Sequence, residues 1–335
     1  HGEGREPRLN LKKCDVIILV LNSAEESPEE PCQDPTEVCC RPETATSLKT
    51  RCEELEDIPA EPMCGFGNPN GVGTRTKWSG DEKQAKFGEF PWTVQLLDFY
   101  NYTNKNNAHV CGGAIIHPEL VVTAAHCLLG KGGEAPPHLL VRAGEWDRST
   151  QSEELPHQDR QNSDLTIIGL FNDIALLKLT VPFELKPHVG VICLPKIQDT
   201  EAPEHYTRCI SSGWGKESND QELQDVLKKV ELPIVDQLRC IKRLRKTRRG
   251  SLFNIHRSFL CAGGDGRDNC EGDGGAPLVC PMPDNPGRYM LTGIVSWTES
   301  CQGRRIPGVY SHVHRLAMWI ELYLMEGINK ILFLT

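Results

Sequence analysis

A chain of 335 residues is long for one domain and comfortable for a large domain plus a small one. Its 39% hydrophobic and 25% charged residues are ordinary for a globular protein, and a net charge of −9 argues against a general nucleic-acid binder. The 15 cysteines mostly lack metal-type spacing, so they read as disulfides of an oxidising compartment, and no apolar run reaches bilayer-spanning length.

Taken in order, Lys12-Lys13-Cys14-Asp15-Val16-Ile17-Ile18-Leu19-Val20-Leu21 joins a basic flank to a short apolar core. It reads either as the tail of a signal peptide ending near Ala24 or as a buried strand of an N-terminal module, so residues 1–30 form a leader or N-terminal remnant. Residues 31–63 are acidic and proline-bearing, with Cys32, Cys39 and Cys40 crowded together and Cys52 following. A segment this small cannot stand on an apolar core and is expected to be held by disulfides. Residues 64–75 are rich in Gly, Asn and Pro, the composition of a linker.

From residue 76 to 335, short β-rich runs alternate with Gly, Pro and Asn turns, which predicts an all-β architecture. Thr93–Leu97, Ile115-Ile116, Val121-Val122, Ile174–Leu179 and Gly293–Trp297 are the clearest strands. A helical period appears only late, around Leu316–Leu322.

Three motifs in this region carry chemistry. Thr123-Ala124-Ala125-His126-Cys127 follows Cys111-Gly112-Gly113; Asn172-Asp173-Ile174-Ala175-Leu176-Leu177 comes next; Gly272-Asp273-Gly274-Gly275-Ala276-Pro277 comes last. A lone histidine is usually structural, but three spaced motifs in this order resemble the histidine, aspartate and nucleophile motifs of the trypsin-like serine proteases. In that family the loop reads Gly-Asp-Ser-Gly-Gly-Pro, so Gly274 stands where the attacking serine would be. Acyl transfer needs an atom that bonds covalently to the substrate, and glycine supplies none. The resemblance implies a double β-barrel with a C-terminal helix and a general base, His126, oriented by Asp173. It also implies backbone N–H groups of Gly272 and Gly274 at the oxyanion position. Ala276 replaces a glycine, which predicts an altered loop.

Asp268 matches the residue that gives such pockets a preference for Arg or Lys, with Gly308 also on the pocket. Thr298 stands where a glycine usually opens the pocket mouth and is expected to crowd it. Arg75 matches the activation bond and Asp273 the carboxylate that receives the new amino terminus. Thr76 is a poor inward plug, because burying its hydroxyl costs more than inserting an aliphatic chain. The resemblance pairs Cys64 with Cys193, Cys111 with Cys127, Cys209 with Cys280, Cys240 with Cys261, and Cys270 with Cys301. Glu145, Asp147, Glu153 and Glu154 fall where some trypsin-like domains bind calcium; no other cofactor is expected. Asn101-Tyr102-Thr103 is a glycosylation sequon.

The Cys-x₆-Cys-Cys crowding at Cys32, Cys39 and Cys40 resembles the end of arthropod clip domains, with Cys14 and Cys52 as further candidates and the pairing open. With Gly144-Glu145-Trp146-Asp147 and Cys261-Ala262-Gly263-Gly264, the chain is similar to insect clip-domain serine protease homologues of the masquerade-like, clip A group. That resemblance implies a secreted, non-catalytic haemolymph factor. It would regulate prophenoloxidase activation and melanisation, bind a protease zymogen or prophenoloxidase, and be able to oligomerise after cleavage. An active endopeptidase and a microbial-surface recognition protein are the alternatives.

Lys242, Arg243, Arg245, Lys246, Arg248 and Arg249 form a cationic run, read as a solvated loop, a docking surface for an acidic partner, or a protease cut site. Residues 1–75 hold fifteen acids against eight bases.

Overall fold

The computed structural model describes residues 64–73, 80–103, 108–129, 139–150, 153–196, 208–216, 222–265, 272–283, 285, 287–299 and 305–332. The leader and clip-like readings, with Cys14, Cys32, Cys39, Cys40 and Cys52, lie outside these residues. So do Arg75, Thr76, Asp268 and the Cys270–Cys301 pairing.

Among the described residues, thirteen strands fall into two sheets. The first is a closed barrel in the order β1-β2-β3-β6-β5-β4, built from β1 (Thr93–Asp98), β2 (His109–His117), β3 (Leu120–Thr123), β4 (Leu139–Ala143), β5 (Gln158–Gly169) and β6 (Ile174–Leu179). Closure removes the free edges that an open sheet would expose. The second is a seven-stranded antiparallel sheet, β8-β7-β11-β12-β13-β10-β9. Its strands are β7 (Cys209–Gly213), β8 (Lys228–Leu232), β9 (Ile234-Val235), β10 (Phe259–Ala262), β11 (Pro277–Pro281), β12 (Tyr289–Trp297) and β13 (Gly308–His312). The five runs read as strands fall in β1, β2, β3, β6 and β12. The fold is the all-β trypsin-like one.

Burial of Leu96, Ile115, Leu176 and Leu177 in the barrel core, each essentially inaccessible, stabilises it by about 1.5–3 kcal/mol per side chain. β1 departs from simple alternation: its polar residues Thr93 and Gln95 are buried too. They face polar partners rather than water. Thr93 Oγ1 lies 2.8 Å from Ser212 Oγ of β7, and Gln95 Nε2 lies 2.9 Å from His109 Nδ1. Burying a hydroxyl or amide is tolerated only with such a partner.

Three helices complete the described chain: α1 (Phe99–Thr103), α2 (Gln237–Leu244) and α3 (Val313–Leu332). In α3, Val313, Leu316, Ala317 and Ile320 are buried at the i, i+3, i+4, i+7 spacing of one helical face. That face packs on the core, with Trp319, Tyr323 and Leu324 partly covered beside it. No helix among the described residues is long and apolar enough to cross a membrane.

Disulfides join Cys111 to Cys127, Cys209 to Cys280, and Cys240 to Cys261. A fourth joins Cys64 to Cys193 across a sequence separation of 129. Bridges of this kind contribute roughly 2–4 kcal/mol each. The Cys64–Cys193 bridge anchors the linker, which Gly65 extends by bonding its amide to Val191 O at 2.7 Å.

Two histidines with strongly lowered titration predict how the fold responds to acid. Burial pushes His109 down to about 4 and His312 to about 3. Neutral His109 satisfies both its ring contacts, donating from Nε2 to Gly272 O at 2.8 Å and accepting at Nδ1 from Gln95. Both groups titrate near 6.5 when unfolded, so the stability they contribute is complete above that value and declines as the pH falls towards their folded values. The midpoint of thermal unfolding is expected to fall steadily below about pH 6.5. His109→Gln, which retains a polar amide, should flatten that slope; an unchanged slope would exclude His109 as a contributor.

Candidate functional site

The site forms where the barrel meets the second sheet, and Gly112 controls the approach. Its amide donates to Gly274 O at 2.8 Å, and its own carbonyl accepts from Thr123 Oγ1 at 2.8 Å. A Cβ on Gly112 would sit 3.0 Å from both Ala276 Cα and Ala276 Cβ, so a side chain there would hold the two motifs apart.

His126 lies on a short 3₁₀ turn after β3, and Asp173 lies just before β6. Their backbone positions are fixed by the β3–β6 ladder, in which Thr123 pairs with Ala175. Asp173 is 3% exposed and takes bonds from both sheets. Its Oδ1 accepts from the His126 amide at 2.8 Å, and its Oδ2 contacts His126 Nδ1 at 2.9 Å. Ser296 of β12 donates to the same Oδ2, and Ser311 of β13 donates to the Asp173 carbonyl at 2.6 Å. Burial pushes this carboxyl up, but the bonds and charge of His126 and the Ser296 hydroxyl outweigh it, so Asp173 titrates below the usual carboxylate range.

Gly274 completes the arrangement. A Cβ built on it would lie 2.9 Å from His126 Nε2, 3.3 Å from Cys111 Sγ and 3.5 Å from His126 Cε1. A side chain at this position would therefore point at His126 Nε2, which also lies 3.7 Å from Cys127 Sγ. Glycine places only hydrogen there. The imidazole edge already occupies the space into which a serine would extend.

The loop around Gly274 turns at Gly272 and Gly275, with φ of +96° and +76°. Ala276, the residue expected to alter this loop, sits inside it. Ala276 is buried, donates to Asp273 O at 2.9 Å and accepts from Val295 N at 2.9 Å. The glycine-requiring turn is one residue earlier. A Cβ on Gly275 would fall 2.3 Å from Thr123 Oγ1 and 2.5 Å from Gly112 O.

Asp273 points away from His126. Its Oδ1 accepts from Gly215 N at 2.8 Å, and its carboxylate fills the space between Gly213 and Gly215. A Cβ on Gly213 would fall 2.2 Å from Asp273 Oδ1, and one on Gly215 would fall 2.3 Å from Asp273 Cγ. Gly213-Trp214-Gly215, Ser296, Ser311, Gln95 and His109 all shape this site, and the motif reading named none of them in that role. The buried polar residues of β1 were the only local sign of it.

On the pocket side, Gly308 is buried in β13 opposite Ala262, and Thr298 follows β12 half-buried. Beside it the Arg249 guanidinium lies 4.5 Å from the Trp297 ring centroid. Arg249 and Arg248 both pair with Glu299, whose side chain is 3% exposed.

The acidic group proposed for calcium is engaged within the fold. Glu145 Oε2 lies 3.3 Å from Arg142 Nη1, and its Oε1 accepts from Trp146 N at 3.0 Å. Glu153 accepts from Asp147 N at 3.3 Å. Asp147 Oδ1 takes Ser149 N and Oγ at 3.0 and 2.6 Å. Glu154 lies against Gly73 of the linker. Burial, followed by the hydrogen bond and charge of Glu153, pushes the Glu145 carboxyl up to about 8. A calcium ion would have to compete with Arg142 for that carboxyl. Asn101 lies in α1, where its Nδ2 donates to Asp98 Oδ2 at 3.0 Å. A sugar on that nitrogen would replace this bond.

A closed barrel and a seven-stranded sheet meet at a His126–Asp173 pair that Gly274 faces, the framework of a trypsin-like fold. The Trypsin family model matches residues 79–320. The chain belongs to the trypsin family, as a clip-domain serine protease homologue. It is similar to phenoloxidase-activating factor 2 of Galleria mellonella, with 47% identity over 273 residues, covering 77% of this chain and 88% of that protein. It is 39% identical over 329 residues to inactive CLIP domain-containing serine protease A8 of Anopheles gambiae, covering 95% of this chain and 85% of that protein. Inactive CLIP domain-containing serine protease A28 of the same mosquito is 35% identical over 307 residues, covering 88% and 78%.

The glycine cradle around Asp273 is testable by stability. Gly215→Ala places a methyl within 2.3 Å of Asp273 Cγ and is expected to cost about 1–3 kcal/mol in denaturant unfolding. Gly250→Ala, where a Cβ meets nothing within 4 Å, strains only its own positive φ. A smaller loss at Gly215 than at Gly250 would show that the cradle is not tight.

Proposed function

We propose that this chain is a secreted, non-catalytic protease homologue that acts as a cofactor or regulator in a proteolytic immune cascade leading to prophenoloxidase activation and melanisation. The observation that carries this reading is Gly274, whose Cβ position faces His126 Nε2 at 2.9 Å while the groups around it remain in place. Loss of the nucleophile alone costs on the order of 10⁶-fold in turnover in a related catalytic triad. The same surroundings remain folded, and a cleft that cannot complete acyl transfer can hold a partner without releasing product. The names of the relatives support the cascade: one is a phenoloxidase-activating factor, and two are described as inactive proteases. The partners in this reading are a protease zymogen or prophenoloxidase, and no cofactor is required. Secretion is supported by four disulfides, since such bonds persist in oxidising compartments.

Activity gives the first test. After trypsin treatment, a serine-directed phosphonate should leave this domain unlabelled, and a covalent adduct within it would sink the reading. Gly274→Ser must push the imidazole aside to fit. Its turnover on Arg or Lys substrates is expected to stay at least about a hundredfold below that of trypsin, the scale of a misplaced catalytic group. Turnover equal to trypsin's would mean that the rest of the machinery is intact.

The second test is functional. In haemolymph depleted of this protein, adding it back should change melanisation, and Gly274→Ala should act as the native chain does. No change on add-back would overturn the cofactor role.

A further inference from the structure

The cationic run between Lys242 and Arg249 is divided by the fold. Arg248 and Arg249 are held by Glu299, at 3.1 and 2.5 Å, and Arg249 also stacks on Trp297. Arg243 Nη1 donates to Gly264 O at 3.1 Å, and Arg245 Nε donates to Phe253 O at 2.8 Å. Lys242 and Lys246 remain exposed, with no side-chain partner among the described residues. So does Arg239, which lies outside the run that sequence counting picked out.

α2 and the turn that follows it carry these three. Asp236 caps α2 by accepting from Arg239 N at 2.9 Å, and Cys240, Ile241 and Leu244 turn inward, with Cys240 bridged to Cys261. Arg239 and Lys242, at i and i+3, share the outward side of α2, and Lys246 follows in the turn after it. Exposed aliphatic groups are close by in the chain. Leu238, in α2, is 67% exposed; Leu252, beside the Phe253 carbonyl that anchors Arg245, is 95% exposed.

We propose that α2 and the turn after it dock an acidic segment of another polypeptide, one that carries aliphatic side chains among its carboxylates. Three unneutralised cations in a chain of net charge −9 mark a local reversal of sign that steers an anionic partner. The flanking leucines select the class of anion. They offer nothing to a sulfated polysaccharide, whereas a peptide with leucine or isoleucine between its acids can cover them as its carboxylates pair with the three cations. This surface needs neither the cleft nor the His126–Asp173 pair, so it stands apart from the cofactor reading.

The test measures binding of a short fluorescent peptide of repeating Glu-Glu-Leu to the full chain, by anisotropy. Changing Arg239, Lys242 and Lys246 together to Ser should weaken binding about tenfold, the scale of three exposed ion pairs. Raising the salt from 0.1 M to 1 M should weaken the native complex, as the screening length falls from about 10 Å to about 3 Å. Leu238→Ser with Leu252→Ser, or a Glu-Glu-Ser peptide, should each reduce affinity several-fold. Arg249→Ser should leave peptide affinity within about twofold, because Glu299 already neutralises that group. Unchanged peptide affinity in the triple variant would overturn the proposal. So would heparin binding that depends on the three cations while peptide binding does not, since a polysaccharide would then be the ligand.

Discussion

A buried carboxylate has to be satisfied from within the protein, and Asp173 is that carboxylate here. Removing it from water costs several kcal/mol unless hydrogen bonds and opposite charge replace the lost hydration. The replacement comes from His126, on the barrel side, and from Ser296, on the second sheet, while Ser311 holds the Asp173 carbonyl. The two sheets are therefore joined at the group that orients the histidine. This gives a structural reason for the pair to persist without a nucleophile: removing either partner would leave polar groups stranded at the junction.

The nucleophile loop obeys a different constraint, that of close backbone approach. Gly112 lets β2 lie against Ala276, and Gly275 makes a turn that no side chain could enter without striking Thr123. Asp273 is wedged between Gly213 and Gly215. None of these contacts involves the side chain at 274. Replacing a serine hydroxymethyl by hydrogen removes the reacting atom and leaves the scaffold, which is why chemistry and fold can separate at this one position.

The same economy operates at the surface. Glu299 gathers Arg248 and Arg249 and lays the latter on Trp297, so part of a conspicuous basic run becomes internal to the fold. Burial alone would push the Glu299 carboxyl up; its bonds to Arg249 and Arg248 hold it below the usual range. What remains free is set by α2 and the turn after it and not by the count of cations.

The sequence by itself determined the fold class and the chemically decisive positions. Spaced His126, Asp173 and Gly274 motifs locate the site, and alternating strands with a late Leu316–Leu322 period give the architecture. Motifs of this kind are legible because each needs particular residue types within a few positions of one another. Only the tertiary structure decided which residues support them. Ser296, Ser311, Gln95 and His109 reach the site from strands far apart in the chain, and their roles depend on register between sheets. It also decided that Ala276 is buried and bonded through its backbone, while the turn that no side chain could enter falls at Gly275. And it decided that Arg239 belongs with Lys242 and Lys246 while Arg248 and Arg249 do not. Long-range pairing chooses those partners, and nothing local in the sequence encodes the distance between them.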